Sequence, residues 1–193
     1  MRIVVLNHVT LDGVLQAPGR PDEDRRDGFE HGGWAATGSA DPVVGQALGA
    51  RMQRSRGLLL GRRTYEDLLS FWNTQDSPFK DALNDAPKYV VSTTLREPAP
   101  WPNTTLISGD VTHAVDELKR QEEDGELQVM GSGELIQTLL RGNLIDEYML
   151  VIHPLVLGSG RRLFPRGTTP NSLRLVDCVT GTSGVVVATY VKR

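Results

Sequence analysis

Cysteine is nearly missing. Cys178 stands alone, so no internal disulfide can form and nothing asks for an oxidising compartment. Charge of one sign is missing as well. The net charge is −3 with acids and bases interspersed, and no basic block offers nucleic acid an electrostatic footprint. No apolar run is long enough to cross a bilayer, and Met1 opens into a strand pattern rather than a signal-peptide core. The four histidines and one cysteine show no metal-ligand spacing. These absences predict a soluble cytoplasmic protein with no metal, no nucleic-acid partner and no membrane partner.

What remains is globular: 39% hydrophobic and 23% charged residues over 193 positions, suited to one domain spanning 1–193 without repeats. "RIVVLNHV" (2–9) reads as a buried strand, and the Gly/Pro/acid-rich stretch to residue 34 as a long loop. "DPVVGQALGARMQRS" predicts a helix capped by Asp41 with Pro42 at its first position. Next come strand "RGLLLG", helix "RRTYEDLLSFW", a short helix started by Ser77 and Pro78, and strand "PKYVVSTT". A proline-rich connection "REPAPWPN" leads to strand "TTLIS" and helix "DVTHAVDELKRQ". Then follow strand "ELQVMG", helix "SGELIQTLLRGN", a longer strand "LIDEYMLVIHPLVLG", and a hairpin around "GTSG". Strand–helix alternation followed by strands alone predicts a three-layer α/β fold, with a mostly parallel central sheet and antiparallel C-terminal strands.

Three predicted strand ends carry groups suited to phosphate. In "MGSGELIQ", Gly131 and Gly133 sit where a strand meets a helix; the turn is either a phosphate cradle or a tight corner. In "GRRTYEDL", Arg62 and Arg63 offer planar forks, and Thr64 either caps the helix or donates to a phosphate. In "VVSTTL", Ser92, Thr93 and Thr94 end a strand, as ligands of open α/β sheets or as turn formers.

"GRRTYE", "VVSTTL", "VMGSGELIQTLL" and "LIDEYMLVIHPLVLGSGRRLF" occur in the order and spacing of the dihydrofolate reductase-like superfamily. The chain most resembles free-standing proteins similar to the reductase (C-terminal) domain of the bifunctional riboflavin-biosynthesis deaminase-reductase. "VTLDGVLQAP" resembles that family's first strand and loop. The resemblance implies NADPH. Gly61, Arg62, Arg63 and Thr64 would line its adenosine and phosphate side, with Ser92, Thr93 and Thr94 near the 2′-phosphate. Gly131, Ser132, Gly133 and Glu134 would wrap the pyrophosphate, with Leu135 beside them and Met130 also on the cofactor side. Val9, Leu11, Asp12 and Gly13 would approach the nicotinamide and substrate. The resemblance also implies a homodimer.

The substrate half departs from the family. The first long helix holds no acid, Asn7 stands near the family's lysine, and Met130 stands where an acid precedes the glycine turn. Asp12 is the expected proton donor or substrate anchor, with a pKa raised as general acids need, unless "LDG" is only a turn. Asn7, Leu11, Trp34 and His153 complete the expected substrate side, with Trp34 closing over a ring. His8 and His153 read as proton donors or as hydrogen-bonded structural residues. The function expected is hydride transfer from NADPH to a pterin- or aminopyrimidine-like heterocycle. The alternative is a non-catalytic NADP(H)-binding or small-molecule-binding protein on the same fold.

Overall fold

The computed structural model describes residues 1–97, 99–120 and 124–193. Strand β1 (Arg2–Thr10) leads to a 3₁₀ turn at Arg26–Gly28, then α1 (Ala36–Ser39) and α2 (Pro42–Met52). Next come β2 (Ser55–Gly61), α3 (Arg62–Trp72), α4 (Pro78–Asp85), β3 (Lys88–Val91) and β4 (Thr104–Ile107). Then follow α5 (Val111–Arg120), β5 (Glu126–Met130), α6 (Gly133–Arg141), β6 (Glu147–His153), β7 (Leu173–Thr180) and β8 (Val186–Lys192). Pro98 of the expected proline-rich connection and Gln121 of the expected helix end lie outside the described residues.

The chain forms two compact units, one of Met1–Ile3 with Ser55–Leu144, the other of Val4–Arg54 with Ile145–Arg193. In the first unit β4, β3, β2 and β5 lie side by side, all parallel. Parallel strands are covered on both faces, which is why "GLLL" and "LQV" are buried without alternation. Leu58, Leu60, Tyr65, Leu69, Leu83 and Val90 form the core against which α3 and α4 pack. Lys88 is buried there, its ammonium donating to the carbonyls of Leu83, Asn84 and Ala86 at 2.6, 3.0 and 2.7 Å. It closes the C-terminal end of α4.

In the second unit β1 pairs with β6 in parallel, β6 with β8 and β8 with β7 antiparallel. The expected α/β class, mostly parallel with antiparallel C-terminal strands, is what the chain adopts. Asp41 caps α2 as expected, accepting from Val43 N–H at 3.0 Å. It also accepts from Ser183 N–H and Oγ–H at 2.8 Å each and from Thr182 Oγ–H at 3.2 Å, so one carboxylate joins the helix to the hairpin tip. Those donors, Ser183 first, hold its carboxyl down at about 2.

Three expectations need correction. The strand expected over 87–94 stops at Val91, because Ser92 Oγ accepts from the N–H groups of Thr94 and Leu95 and folds the chain into a turn. The long strand expected over 144–158 is only Glu147–His153, ended by Pro154, which has no N–H for a ladder. The long loop is not structureless: Val14 bridges Arg162, and Leu15 N–H and Leu163 N–H donate to the carbonyls of Arg161 and Gly13.

Candidate functional site

In the first unit the ends of β2 and β5 are joined by side chains. Gly61 N–H donates to Ser132 Oγ at 2.9 Å, and Ser132 N–H donates to Thr64 Oγ1 at 3.0 Å. Gly61 is the N-cap of α3 and Ser132 the N-cap of α6, so these two bonds tie two helix N-termini together. Gly131 and Ser132 are both left-handed, at φ 56° and 47°. A Cβ on Gly131 would lie 3.0 Å from Thr64 Cγ2, so glycine is required there by both conformation and space. Ile136 N–H is bonded to Ser132 O, which leaves the first turn of α6 without intrahelical acceptors for its leading N–H groups. Helix N-termini of this kind favour anions.

The side chains around this lock differ from expectation. Arg62 pairs with Glu66 at 2.8 Å and Arg63 with Glu134 at 3.6 Å, so both expected phosphate forks are engaged with carboxylates. Both pairs are substantially exposed, and exposed pairs of this kind are worth about 0–1 kcal/mol, so they hold the two guanidinium groups only weakly. Glu134 points to Arg63, and its carboxylate would repel a pyrophosphate. Leu135 is buried in the core and Met130 packs on the core cluster, so neither side chain offers a polar group to a phosphate. Ser92 spends its hydroxyl oxygen on its own turn, while Thr93 and Thr94 remain exposed.

In the second unit Asp12 is a hub. Thr10 Oγ–H donates to it at 2.6 Å, Gly158 N–H at 3.0 Å, Leu157 N–H at 3.2 Å and Arg162 Nη2 at 3.2 Å. The bond from Thr10, with those from Gly158 and Leu157, outweighs burial and holds the carboxyl below its ordinary value. The expected raised pKa is therefore reversed, and Asp12 has no proton to give near neutral pH.

His153, expected on the substrate side, is fully buried, with Nε2 2.9 Å from His8 Nδ1. Burial, then His153, push His8 down to about 4; burial also lowers His153. Trp34 is not a free lid: its indole N–H donates to Gln16 O at 2.7 Å and its ring meets His153 edge-on at 5.2 Å. Thr10 is registered with His153, whereas Asn7 and Val9 are registered with Leu150 and Ile152. Alternation along β1 therefore puts Asn7 and Val9, both buried, on the face opposite His153. Leu11 is 64% exposed just beyond the strand. Sequence reading missed Thr10 and Gln16 as loop-holding residues. The hydroxyl two positions before the acid in "TLDG" was the available signal. No cluster of metal-ligating side chains and no helix long and apolar enough to cross a membrane occurs among the described residues.

The family model for the RibD C-terminal domain matches residues 2–187. The uncharacterized protein YyaP of Bacillus subtilis (strain 168) is 29% identical over 139 residues, covering 69% of this chain and 72% of that protein. YwjB of the same organism is 30% identical over 118 residues, covering 61% of this chain and 63% of that protein. Among solved structures, a putative riboflavin biosynthesis protein from Shewanella sp. PV-4 superposes with TM-score 0.72 at 24% identity, covering 100% of this chain and 99% of that one. A pyrimidine reductase-like protein from Corynebacterium diphtheriae gives 0.65 at 11%, covering 100% and 92%. Dihydrofolate reductase from Enterococcus faecalis, solved with NADP(H) and an inhibitor named RAB-propyl, gives 0.62 at 12%, covering 100% and 96%. These likenesses establish the dihydrofolate reductase-like fold.

Proposed function

The chain belongs to the RibD C-terminal domain family, and from that premise we propose that it is an NADPH-dependent reductase acting on a small pterin- or aminopyrimidine-like heterocycle. One observation carries the reading: the reciprocal bonds among Gly61, Thr64 and Ser132 that hold two helix N-termini as one anion cradle. A pyrophosphate suits it, because α6 begins directly after the left-handed Gly131–Ser132 turn, and a helix N-terminus favours an anion. Thr64 accepts from Ser132, so its own hydroxyl hydrogen is available to a phosphate oxygen. Arg62 and Arg63 supply cationic forks once they leave their exposed carboxylate partners. When bound, the dinucleotide supplies a hydride from C4 of its nicotinamide. The heterocycle class is supported by the family and by neighbours that include a pyrimidine reductase-like protein and a dihydrofolate reductase. The same reading makes the protein a cytoplasmic homodimer.

A second reading, a non-catalytic NADP(H)- or small-molecule-binding protein, is favoured by the state of Asp12. It is held ionised by four donors and offers no acid for the proton that accompanies the hydride. Titration with NADPH and NADH, followed by tryptophan quenching and energy transfer to the nicotinamide, tests the shared premise. Tighter binding of NADPH is expected. Binding of neither overturns both cofactor readings. Steady NADPH oxidation with a pterin or aminopyrimidine then separates enzyme from binder.

A further inference from the structure

Two histidines are left without a role. His8 Nδ1 and His153 Nε2 stand 2.9 Å apart with ring centroids 5.1 Å apart. Between two neutral imidazoles one nitrogen donates and the other accepts, so the bond exists only while the pair carries no surplus proton at that contact. His153 is the packed end of the pair. The indole of Trp34 meets it at 90° and 5.2 Å. A Cβ on Gly38 would come within 2.5 Å of its Nδ1 and within 2.5 Å of Val185 Cγ2. Helix α1 and the residue that precedes β8 therefore close on the same imidazole, and only glycine fits between them. Trp34 is thus fixed at two points, its N–H on Gln16 O at 2.7 Å and its ring on His153.

We propose that His8 and His153 form a neutral latch that positions Trp34: His153 is the surface on which the indole rests, and His8 fixes the orientation of that imidazole. Both are positioning residues. Contact between Trp34 and a substrate ring rests on the reductase reading; the latch itself does not.

The charged groups around the pair support a neutral working state. On β6, the acid Glu147 stands at the far end of the strand from His153 and is paired with Arg51 of α2. Beyond β1, Asp12 is paired with Arg162. Before α2, Asp41 is taken by Ser183 and Thr182 of the hairpin tip. Helix α1, with sequence ATGS, carries no ionisable group. Among the described residues, each of these carboxylates is already engaged. A first added proton therefore places an uncompensated charge beside an indole and helix backbone. A second turns both facing nitrogens into donors and breaks the bond. Burial, and then His153, keep His8 neutral until the pH nears about 4, well below its ordinary 6.5.

The test is fluorine NMR of the full chain carrying 5-fluorotryptophan, which gives one signal for each of its three tryptophans. The Trp34 signal is assigned with Trp34→Phe. Between pH 7.5 and 4 the Trp34 signal is expected to move, while those of Trp72 and Trp101 hold still. His8→Phe, which removes the bond that fixes the His153 ring, is expected to displace the Trp34 signal from its neutral position already at pH 7.5. His153→Gln, which removes the ring on which the indole rests but whose side-chain amide can still bond His8 Nδ1, is expected to displace the Trp34 signal at pH 7.5 and to shift the acid midpoint. A Trp34 signal unchanged at pH 4 overturns the latch, and so does one unaltered by His8→Phe. If His8→Phe does not fold, an unshifted midpoint in His153→Gln overturns it instead. Binding of NADPH is measured on the same samples: its absence in the unsubstituted protein sinks the reductase reading and leaves the latch standing.

Discussion

At the scale of single residues, Thr64 and Asp12 show how a site residue works through its neighbours. Thr64 Oγ1 is the acceptor that holds Ser132 N–H, and Ser132 keeps a left-handed conformation that costs an L-residue roughly 1–2 kcal/mol. Thr64→Val keeps the shape and removes that acceptor. An unmade bond to a part-buried N–H costs about 1–3 kcal/mol, so NADPH affinity is expected to fall about tenfold or more, while Thr64→Ser restores it. Equal affinities in the two variants, measured by fluorescence titration, would remove the lock from the cofactor site. Asp12→Asn keeps the size but cannot pair with Arg162 or accept from all four donors. Bonds to a charged group contribute about 1.5–3 kcal/mol each, so faster amide exchange at Leu157 and Gly158 is expected. The same variant is expected to leave NADPH affinity unchanged. Unchanged exchange at those two amides would mean that the loop does not depend on the carboxylate.

At the scale of elements, the hairpin of β7 and β8 is tied to α2 by a single side chain. A Cβ on Gly181 would come within 2.5 Å of Asp41 Oδ2, so the tip is built around that carboxylate. Loss of an N-cap alone costs about 1 kcal/mol. Asp41→Ala is expected to exceed that, and to speed exchange at Ser183 together with the first turn of α2. Faster exchange confined to α2 would reduce Asp41 to an ordinary cap. The cap itself was legible in the sequence, because Asp-Pro before a helical pattern has a local cause; so were α3, α4 and the hairpin. The ties across the chain were not. Nothing in the spacing of Asp41 and Ser183, of Thr64 and Ser132, or of Asp12 and Gly158 shows that folding brings them within a hydrogen bond. The burial of Lys88 was hidden for the same reason, since its three carbonyl partners lie on the preceding helix and turn. Strand ends were misjudged where a side chain competes with the ladder, at Ser92, or where proline removes a donor, at Pro154. In the site, Thr64 and the glycine turn were each legible as strand-end residues, but not as hydrogen-bonded neighbours. Asp12 was misjudged, because its protonation depends on a loop 145 residues away in the chain.

At the scale of the whole molecule, acid and cofactor are expected to act on different units. His8, Asp12 and Asp41 all belong to the second unit, and all three titrate below their ordinary values. The unfolded chain then binds more protons than the folded one, so stability falls as pH falls. For His8 the loss runs from 6.5 down to about 4. For Asp41 it runs from 3.8 toward about 2, and for Asp12 it begins below 3.8. Protection from hydrogen exchange, taken relative to the intrinsic amide rate at each pH, is expected to fall first in Val4–Arg54 and Ile145–Arg193 as the pH drops from 7.5; a first loss in the other unit would break the assignment. The cofactor acts the other way. Gly61, Thr64, Gly131 and Ser132 all lie in the first unit. Ligand at about 100 times its Kd stabilises the state that binds it by about 2.7 kcal/mol, which slows exchange through opening of that state about a hundredfold. With NADPH present, the slowing is expected to centre on residues 61–64 and 131–136, with NADH giving less at equal concentration. A uniform slowing over both units would mean that the dinucleotide tightens the whole chain rather than filling this cradle. No slowing at residues 131–136 would leave the Gly131–Ser132 turn a tight corner between a strand and a helix.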